Sequence, residues 1–258
     1  MNDSFSRVKL LLGDSNFSNI ASSRIIIFGL GGVGSWCAES LVRSGIKDIT
    51  LVDCDKVEIT NINRQLPATS ATIGQIKVDA MKNRLLEINP EAEITSLRCY
   101  YTAETASQFD LSQYDYVIDA IDSLKDKALL ILEAAKSSVT LFSSMGAALK
   151  LDPLKISVAE FWKVQGCPLA AALRHKFKKE KTFPKKKFKC VFSPEIFKNL
   201  GEQPQKSNNN SGDFSNLDNF NVNANKAQIN GTLAHTTAIF GFILAGLVIQ
   251  DITKKQTK

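Results

Sequence analysis

The sequence contains no closely paired cysteines. Its five cysteines are spread along 258 residues, and no two have the spacing of zinc-binding or redox pairs, in which two residues separate them. An odd, scattered set also forms no complete disulfide framework, so we expect a reducing, intracellular compartment. The two histidines, His175 and His235, have no partner recognisable in the sequence, and we expect packing or surface roles for both.

The sequence shows neither the pattern expected of a leader peptide nor a long apolar run. Residues 1–7 do not show the basic and then apolar pattern of a secretory signal. The longest apolar run, residues 237–249, is shorter than the about 20 residues that a helix needs to cross a bilayer. We therefore expect a cytoplasmic protein with no membrane span, in which this run forms a buried helix.

Positive charge is concentrated in one segment. The overall composition, 44% hydrophobic and 22% charged, is ordinary for a globular protein. The net charge is +6, but residues 163–189 hold ten Lys or Arg residues and one acid, Glu180, so this basic strip alone carries +9. Such a strip can follow a nucleic-acid backbone, or it can be a solvated lysine-rich loop.

The first 150 residues alternate between strand and helix patterns. Short β-branched runs predict buried strands, and segments with apolar residues at helical spacing separate most of them. Such alternation predicts an α/β fold with a doubly wound, mostly parallel, Rossmann-like sheet. The predicted strands are residues 24–28, 49–52, 93–100, 116–118 and 139–143, and the predicted helices are residues 35–44, 76–89 and 126–136.

The pattern changes after residue 150. We expect one domain over residues 1–258, with a nucleotide-binding core in residues 1–150 and a C-terminal extension in residues 151–258. The extension includes the basic strip and an Asn-, Ser- and Gly-rich segment that predicts a flexible loop at residues 199–230. Its predicted elements are strands at residues 155–161 and near the end of 184–192, and helices at residues 168–179 and 236–251.

A glycine-rich loop joins the first predicted strand to the first predicted helix. Gly29, Gly31 and Gly34 have the spacing of a dinucleotide-binding fingerprint, and Gly32 adds a fourth glycine. The glycines allow close approach to a phosphate or ribose, and the helix N-terminus that follows favours anions. Asp53, after the second strand, can accept hydrogen bonds from ribose hydroxyls. These features alone fit an NAD(P)-binding domain as well as an ATP site.

Charged residues after the second and fourth strands favour ATP. Arg64 and Lys77 can neutralise the charge that develops on an α-phosphate under attack. Asp122 can bind Mg²⁺ that bridges to phosphate oxygens. The alternatives are surface positions for Arg64 and Lys77, and a helix N-cap for Asp122.

These motifs resemble the superfamily of ThiF, MoeB, HesA and the ubiquitin-activating (E1-like) enzymes. The matching stretches are GLGGVGS at residues 29–35, LVDCDKVEITNINRQ at 51–65, GQIKVDAM at 74–81, INP at 88–90 and VIDAIDS at 117–123. The resemblance implies adenylation with ATP and Mg²⁺, the metal on Asp122, and an arginine matching Arg7 that reaches across a homodimer. The implied nucleotide-binding residues are Gly29, Gly31, Gly32, Gly34, Asp53, Asn61, Arg64, Lys77, Asp122 and Ser123, with Arg7, Arg64, Lys77 and Asp122 in catalytic roles.

Further stretches resemble one branch, the tRNA threonylcarbamoyladenosine dehydratases. They are SRVKLLLGDSNF at residues 6–17, WCAESLVRSGI at 36–46, PLAAALR at 168–174, CVFSPE at 190–195 and TTAIFGFILA at 236–245. The resemblance implies ATP-dependent cyclisation of threonylcarbamoyladenosine at position 37 of tRNA through an acyl-adenylate. The tRNA-binding candidates are Arg174, Lys178, Lys179, Lys185, Lys186 and Lys187, with Phe177, Phe183 and Phe188 interleaved.

Three other functions remain open at this point. The chain could adenylate a ubiquitin-like or sulfur-carrier protein, act as a nicotinamide-dependent oxidoreductase, or bind nucleotides without catalysis. ThiF- and MoeB-type enzymes usually carry zinc motifs built from paired cysteines. This sequence has no such pairs, which argues against those two enzyme types. Cys167 and Cys190 are candidate nucleophiles because nearby lysines can lower a thiol pKa, and sulfur-transfer proteins are candidate partners.

Overall fold

The computed structural model describes residues 4–202 and 229–254 and contains one seven-stranded sheet. Six of the strands run parallel to one another, and the remaining strand, Ser157–Glu160, is antiparallel to its neighbour. The strands are β1 (Arg24–Phe28), β2 (Asp48–Val52), β3 (Glu93–Leu97), β4 (Tyr116–Asp119), β5 (Thr140–Ser144), β6 (Ser157–Glu160) and β7 (Lys189–Phe192). They lie in the order β3-β2-β1-β4-β5-β7-β6, which confirms the predicted doubly wound α/β sheet.

Helices cover both faces of this sheet, because the central strands are apolar on both sides. In β1, Ile25 and Ile27 pack into one core cluster while Ile26 and Phe28 pack into the other. The helices are α1 (Ser6–Leu12), α2 (Asp14–Ser22), α3 (Gly34–Arg43), α4 (Lys77–Ile88), α5 (Leu124–Lys136), α6 (Pro168–Lys179) and α7 (Ala234–Lys254). The first cluster includes side chains of α3 and α7, and the second includes side chains of α5 and α6.

The last helix, α7, is longer than the sequence predicted. At 21 residues it is, within the described part of the chain, the one helix long and apolar enough to cross a membrane by length and composition. However, 56% of its most apolar stretch is buried in the protein, and Leu244 and Val248 are fully buried in the first core cluster. A Cβ on Gly241 would lie 2.5 Å from the carbonyl oxygen of Val33, so α7 packs closely against the start of α3. The helix is part of the core of this fold.

The N-terminal helices α1 and α2 were not predicted. The shorter one, α1, buries no side chain, and Leu10 and Leu11 are 88% and 82% exposed. The predicted third strand also ends early, at Leu97, because the backbone turns so that the Cys99 N–H donates to the Leu97 carbonyl oxygen at 3.1 Å.

The C-terminal extension joins the same sheet and core. Its strands β6 and β7 extend the sheet beyond β5, and α7 packs against α3. The division at residue 150 stays a prediction. Of the predicted flexible loop, residues 203–228 lie outside the described residues.

The parallel strands give the sheet two chemically different edges. The carboxyl edge is formed by the loops that follow Phe28, Val52, Asp119 and Ser144, where parallel strands end. The amino edge is formed by the residues that precede the same strands and by those that precede β7. Ligands of open α/β sheets bind beyond the carboxyl ends of the strands.

Candidate functional site

The glycine loop at the carboxyl edge is fixed by packing at two positions and less tightly packed at a third. Gly29 has φ +90°, and a Cβ there would lie 2.8 Å from the carbonyl oxygen of Ala120. A Cβ on Gly34 would overlap the carbonyl oxygen of Gly29. At Gly31, by contrast, the nearest atom to a Cβ is Nε2 of Gln65 at 3.9 Å, an ordinary contact distance, so this part of the loop is not tightly packed. The loop therefore leaves room for a ligand at Gly31.

Asp53 holds this loop from the next strand. Its Oδ2 accepts from the Leu30 N–H at 2.7 Å, and its Oδ1 accepts from the Asp55 N–H at 2.9 Å. Burial raises the pKa of Asp53, while the charge of Lys77 and the Leu30 N–H act in the opposite direction. Each carboxylate oxygen has a second lone pair, so Asp53 can hold the loop and still accept from ribose hydroxyls.

Lys77, the first residue of α4, is buried and paired. Its Nζ lies 2.8 Å from Oδ2 of Asp55, and the Tyr100 hydroxyl donates to Oδ1 of the same carboxylate at 2.7 Å. Sequence reasoning missed Asp55 and Tyr100. The short spacing between Asp53 and Asp55 could have indicated the first, but no local pattern marks the second. The pair holds a lysine in place at the carboxyl edge, where it can meet a phosphate.

Arg64 lies beside the glycine loop, within the electrostatic influence of Asp122. Its Nη1 donates to the Thr60 carbonyl at 2.9 Å and to Oδ1 of Asn63 at 2.8 Å. A Cβ on Gly32 would lie 3.2 Å from Cγ of Arg64, so the stem of the arginine runs along the loop. Burial lowers the pKa of Arg64, and the charge of Asp122 acts in the opposite direction. Arg64 and Asp122 therefore share one crevice.

The turn that contains Asn61 and the start of α5 shape the same crevice. Asn61 is buried, and its Oδ1 accepts from the Glu58 N–H at 3.1 Å, so its side chain holds the turn before Arg64. Ser123 is the N-cap of α5, where its Oγ accepts from the Asp126 N–H at 3.5 Å. The N-cap alternative for Asp122 was thus wrong. Asp122 precedes the cap and is exposed.

A buried ion pair lies beneath the loop that carries Asp122. Nζ of Lys127 lies 2.8 Å from Oδ2 of Asp119, and both side chains are fully buried. Ser143 donates its hydroxyl to the same oxygen at 2.6 Å, and Lys127 also donates to the Ile121 carbonyl at 2.9 Å. These contacts fix the backbone on either side of Ile121, so they position Asp122 and Ser123. Sequence reasoning missed both Asp119 and Lys127.

The residues present fit ATP and one Mg²⁺ ion. Beside Gly31, Oε1 of Gln65 is buried with no hydrogen-bond partner among the described residues, which leaves an acceptor for a ligand. Within residues 4–202 and 229–254, no group of three or more His, Cys, Asp or Glu residues could hold a metal. A single carboxylate at Asp122 suits Mg²⁺, which usually binds one or two carboxylates together with phosphate oxygens and water.

Arg7 is not linked to this crevice within the chain. It is exposed on α1, which packs against α2, and none of the contacts among the described residues joins it to the carboxyl edge. A role for Arg7 at the crevice would require a second copy of the chain.

Four of the five cysteines have a raised pKa, and the fifth, Cys167, is buried. Cys190 is fully buried, and burial raises its pKa well above the ordinary value even though Lys127 acts to lower it. Burial also raises the pKa of Cys37, Cys54 and Cys99. Cys167 is buried at the N-cap of α6. The expectation that lysines activate Cys190 was wrong, because burial outweighs their charge.

The basic strip does not line the crevice. Helix α6 starts at the carboxyl edge, where Sγ of Cys167 lies 3.9 Å from the Cβ position of Gly146, and it ends at the amino edge. There, near the start of β5, Lys186 donates to the Ser137 carbonyl. The candidates that lie on this far side are Lys178, Lys179, Lys185, Lys186 and Lys187.

The other candidates in the strip are held by the fold. Nη1 of Arg174 donates to the carbonyl oxygens of Phe161 and Val164, at 3.2 and 2.9 Å. Phe177 and Phe188 are buried in the second core cluster, so the expectation that they could interleave with an RNA was wrong. Only Phe183 of the three rings is exposed, by 52%.

The glycine loop after β1 and the paired charges at the carboxyl edge of a doubly wound sheet are the features of a nucleotide-binding α/β protein. A sequence comparison matches residues 5–258 to the ThiF family, and the chain belongs to that family.

Three proteins that are similar to this chain over nearly their whole length are all tRNA threonylcarbamoyladenosine dehydratases. A tRNA threonylcarbamoyladenosine dehydratase of Bacillus subtilis is 39% identical, over 97% of this chain and 94% of its own. One of Haemophilus influenzae is 36% identical, over 98% of this chain and 94% of its own. The crystal structure of Escherichia coli tRNA N6-threonylcarbamoyladenosine dehydratase, TcdA, in complex with ATP superposes with a TM-score of 0.83 at 32% identity, covering 98% of this chain and 95% of that one.

Proposed function

We propose that this protein is an ATP-dependent tRNA threonylcarbamoyladenosine dehydratase. The observation that carries the proposal is the extent of the similarity: 39% identity to a dehydratase spans 97% of the chain, the C-terminal extension included. An adenylating enzyme for a carrier protein would need to share only the nucleotide-binding core with these relatives.

The reaction begins with a carboxylate, which is a poor electrophile. The threonyl carboxylate of the modified adenosine attacks the α-phosphate of ATP, which gives an acyl-adenylate and pyrophosphate. The carbamoyl group of the same side chain then attacks the activated carbonyl and closes a ring, and AMP leaves. The net change in the nucleoside is the loss of water. Ring closure is intramolecular and gains a high effective concentration, so no enzyme nucleophile is needed. This agrees with the buried Cys190.

The residues of the carboxyl edge have different roles in adenylation. The glycine loop and the N-terminus of α3 receive the phosphates, and Asp53 accepts from the ribose. Arg64 and Lys77 stabilise the charge that develops on the α-phosphate, and both are already held by neighbouring oxygens before a ligand binds. Asp122 would hold Mg²⁺, which supplies further charge neutralisation at the phosphates.

We propose a homodimer in which Arg7 acts on the partner's crevice. The support is the exposed apolar surface of α1, where Leu10 and Leu11 have no cover within the described residues. Burying such side chains against a second copy would be favourable by about 1.5–3 kcal/mol each. We propose a cytoplasmic location, in keeping with a tRNA substrate. Sulfur-transfer partners are not included in the proposal, because Cys190 is buried and its pKa is raised.

The direct test is conversion of the modified nucleoside. The purified protein is incubated with ATP, Mg²⁺ and tRNA that carries threonylcarbamoyladenosine, and the digested nucleosides are analysed by mass spectrometry. We expect the modified adenosine to lose one water, with one AMP formed per event. An unchanged nucleoside, with AMP formed instead in the presence of a small carrier protein ending in Gly-Gly, would overturn the proposal.

A further inference from the structure

Six lysines form an exposed surface at the amino edge of the sheet. We name it the amino-edge surface, and its members are Lys178, Lys179, Lys181, Lys185, Lys186 and Lys187. All six are exposed, and none forms an ion pair with a carboxylate of the described residues. The acid within this stretch, Glu180, pairs with Lys176 instead. The carboxylate of Asp251 lines the same cavity as Lys186 and Lys187, so the surface carries a net positive charge that this acid offsets only in part.

The surface lies on the far side of the sheet from the crevice. Lys178 and Lys179 end α6, and Lys185–Lys187 precede β7, whose first residue pairs with β5 at Phe142. The crevice lies beyond the opposite ends of the strands. One five-residue strand spans about 17 Å, and the loops at both ends add to that separation. A ligand that touches both regions of one protomer must be longer than a nucleotide.

An aromatic pair lies beside the lysines. Trp162 follows β6 at the amino edge, where Phe161 donates its N–H to the Phe188 carbonyl. Its ring lies 6.1 Å from that of Phe183, and the two residues are 39% and 52% exposed. Exposed rings among lysines are the combination by which proteins bind RNA, with phosphates on the lysines and an unpaired base stacked on a ring.

We propose that the amino-edge surface is a second RNA-binding surface, which holds the backbone of the substrate tRNA away from the nucleotide that reacts, with an unpaired base stacked on Phe183. The inference rests on the proposed function for the identity of the RNA. The lysines then supply affinity for the whole tRNA, while the crevice alone recognises the carboxylate. Losing them raises the KM for tRNA and leaves kcat unchanged, because they touch no reacting group.

The experiment compares a long substrate with a short one. The variant Lys185→Gln/Lys187→Gln removes two charges from the surface. The control, Lys82→Gln/Lys56→Gln, removes two charges away from the amino edge, one in α4 and one after β2. Fluorescence anisotropy measures affinity for the modified tRNA across a salt series, and AMP formation measures turnover of that tRNA and of a trinucleotide centred on the modified adenosine, which is too short to reach the amino edge.

We expect the test variant to bind tRNA about tenfold to a hundredfold more weakly at ~0.1 M salt, and the slope of log affinity against log salt to fall by about 2. Trinucleotide turnover and the control variant should match the wild type. Equal losses with tRNA and trinucleotide, or unchanged tRNA binding, would overturn the inference.

A second variant tests the aromatic part. Phe183→Leu keeps an apolar contact with Trp162 but removes the ring, so we expect weaker tRNA binding with an unchanged salt slope. Unchanged affinity would refute the stacked base. The outcomes also separate this inference from the proposed function. If the wild type forms no AMP but the lysine variant still binds tRNA more weakly, the proposed function is wrong and the RNA-binding surface is supported. If the wild type turns over the tRNA and the lysine variant binds tRNA as tightly as the wild type, the proposed function is supported and the RNA-binding surface is wrong.

Discussion

The carboxyl edge and the amino-edge surface handle charge in opposite ways. At the carboxyl edge, Lys77 and Lys127 are buried and each is bound to a carboxylate at 2.8 Å. At the amino edge, Lys185 and Lys187 are exposed and form no ion pair with a described carboxylate. A charge fixed in advance stabilises a small ligand at one geometry, which is what a transition state requires. Free lysines bind a long polyanion with little geometric demand and strong salt dependence.

The first prediction tests the carboxyl edge through its phosphate-facing charges. Replacing Lys77 or Arg64 with alanine should lower the rate of adenylation about 10²- to 10³-fold or more, because each donor is aimed at developing charge. Pyrophosphate exchange into ATP measures the rate, and circular dichroism checks the fold. Lys82→Ala, on the same helix as Lys77, is the control and should retain full activity. If the Lys77 and Arg64 variants both adenylate at the wild-type rate, the charges of the carboxyl edge do not act in catalysis.

The second prediction concerns the buried pair beneath Asp122. Lys127→Met leaves Asp119 buried without its cation, which should lower the free energy of unfolding by about 3–5 kcal/mol. Urea denaturation measures the change. Lys136→Met, which breaks an exposed pair with Glu133, should cost no more than about 1 kcal/mol. If the two variants lose similar amounts of unfolding free energy, the buried Lys127–Asp119 pair contributes no more to stability than an exposed pair.

The third prediction separates two glycines of one loop. Gly34→Ala should impair folding, because the added Cβ would overlap the Gly29 carbonyl. Gly31→Ala should fold with a Tm close to that of the wild type, because the nearest atom is 3.9 Å away, yet it should lose ATP affinity since the methyl group occupies the room left for a ligand. Thermal unfolding and ATP titration distinguish these effects. Normal ATP binding by the Gly31 variant would place the nucleotide elsewhere.

The smallest predicted effect is a pH-dependent change in stability at Asp48, which lies at the amino edge near other acidic residues. Burial, followed by the charge of Glu93, raises the pKa of Asp48, and Arg24 acts in the opposite direction. A raised pKa in the folded state favours the protonated form, so the stability that Asp48 contributes below about pH 4 is lost as the pH rises through the folded pKa. Asp48→Asn does not titrate.

Relative to the wild type, Asp48→Asn should therefore gain stability between about pH 4 and pH 7, by less than about 1 kcal/mol because Asp48 is only partly buried and solvent screens its charge. Denaturation at several pH values gives the difference. A difference that stays constant across this range would contradict the assigned pKa direction.

Much of the fold follows from periodicity. The central strands bury both faces, so runs such as Ile25–Ile27 stand out in the sequence, and the glycine loop marks the turn between β1 and α3. The short helix α1 escaped prediction because it buries no side chain and so has no core-facing stripe. The C-terminal helix was predicted too short, because its polar ends continue the helix beyond the apolar run.

The candidate site was predictable where its residues lie within motifs. Arg64, Lys77 and Asp122 follow strands at recognisable positions. Their partners, such as Tyr100 for Asp55 and Lys127 for Asp119, are chosen by tertiary packing and have no local signal. The sequence also shows the basic strip as one block. Only the direction of α6 reveals that its lysines lie at the edge opposite the crevice.

The central claim is that the carboxyl edge activates a carboxylate carried on tRNA. Pyrophosphate exchange into ATP tests it most directly, with the wild-type protein and two preparations of the same tRNA, one with threonylcarbamoyladenosine and one without. We predict exchange only with the modified tRNA, and its loss in Lys77→Ala. Equal exchange with both preparations, or exchange that requires a carrier protein and ignores tRNA, would contradict the claim.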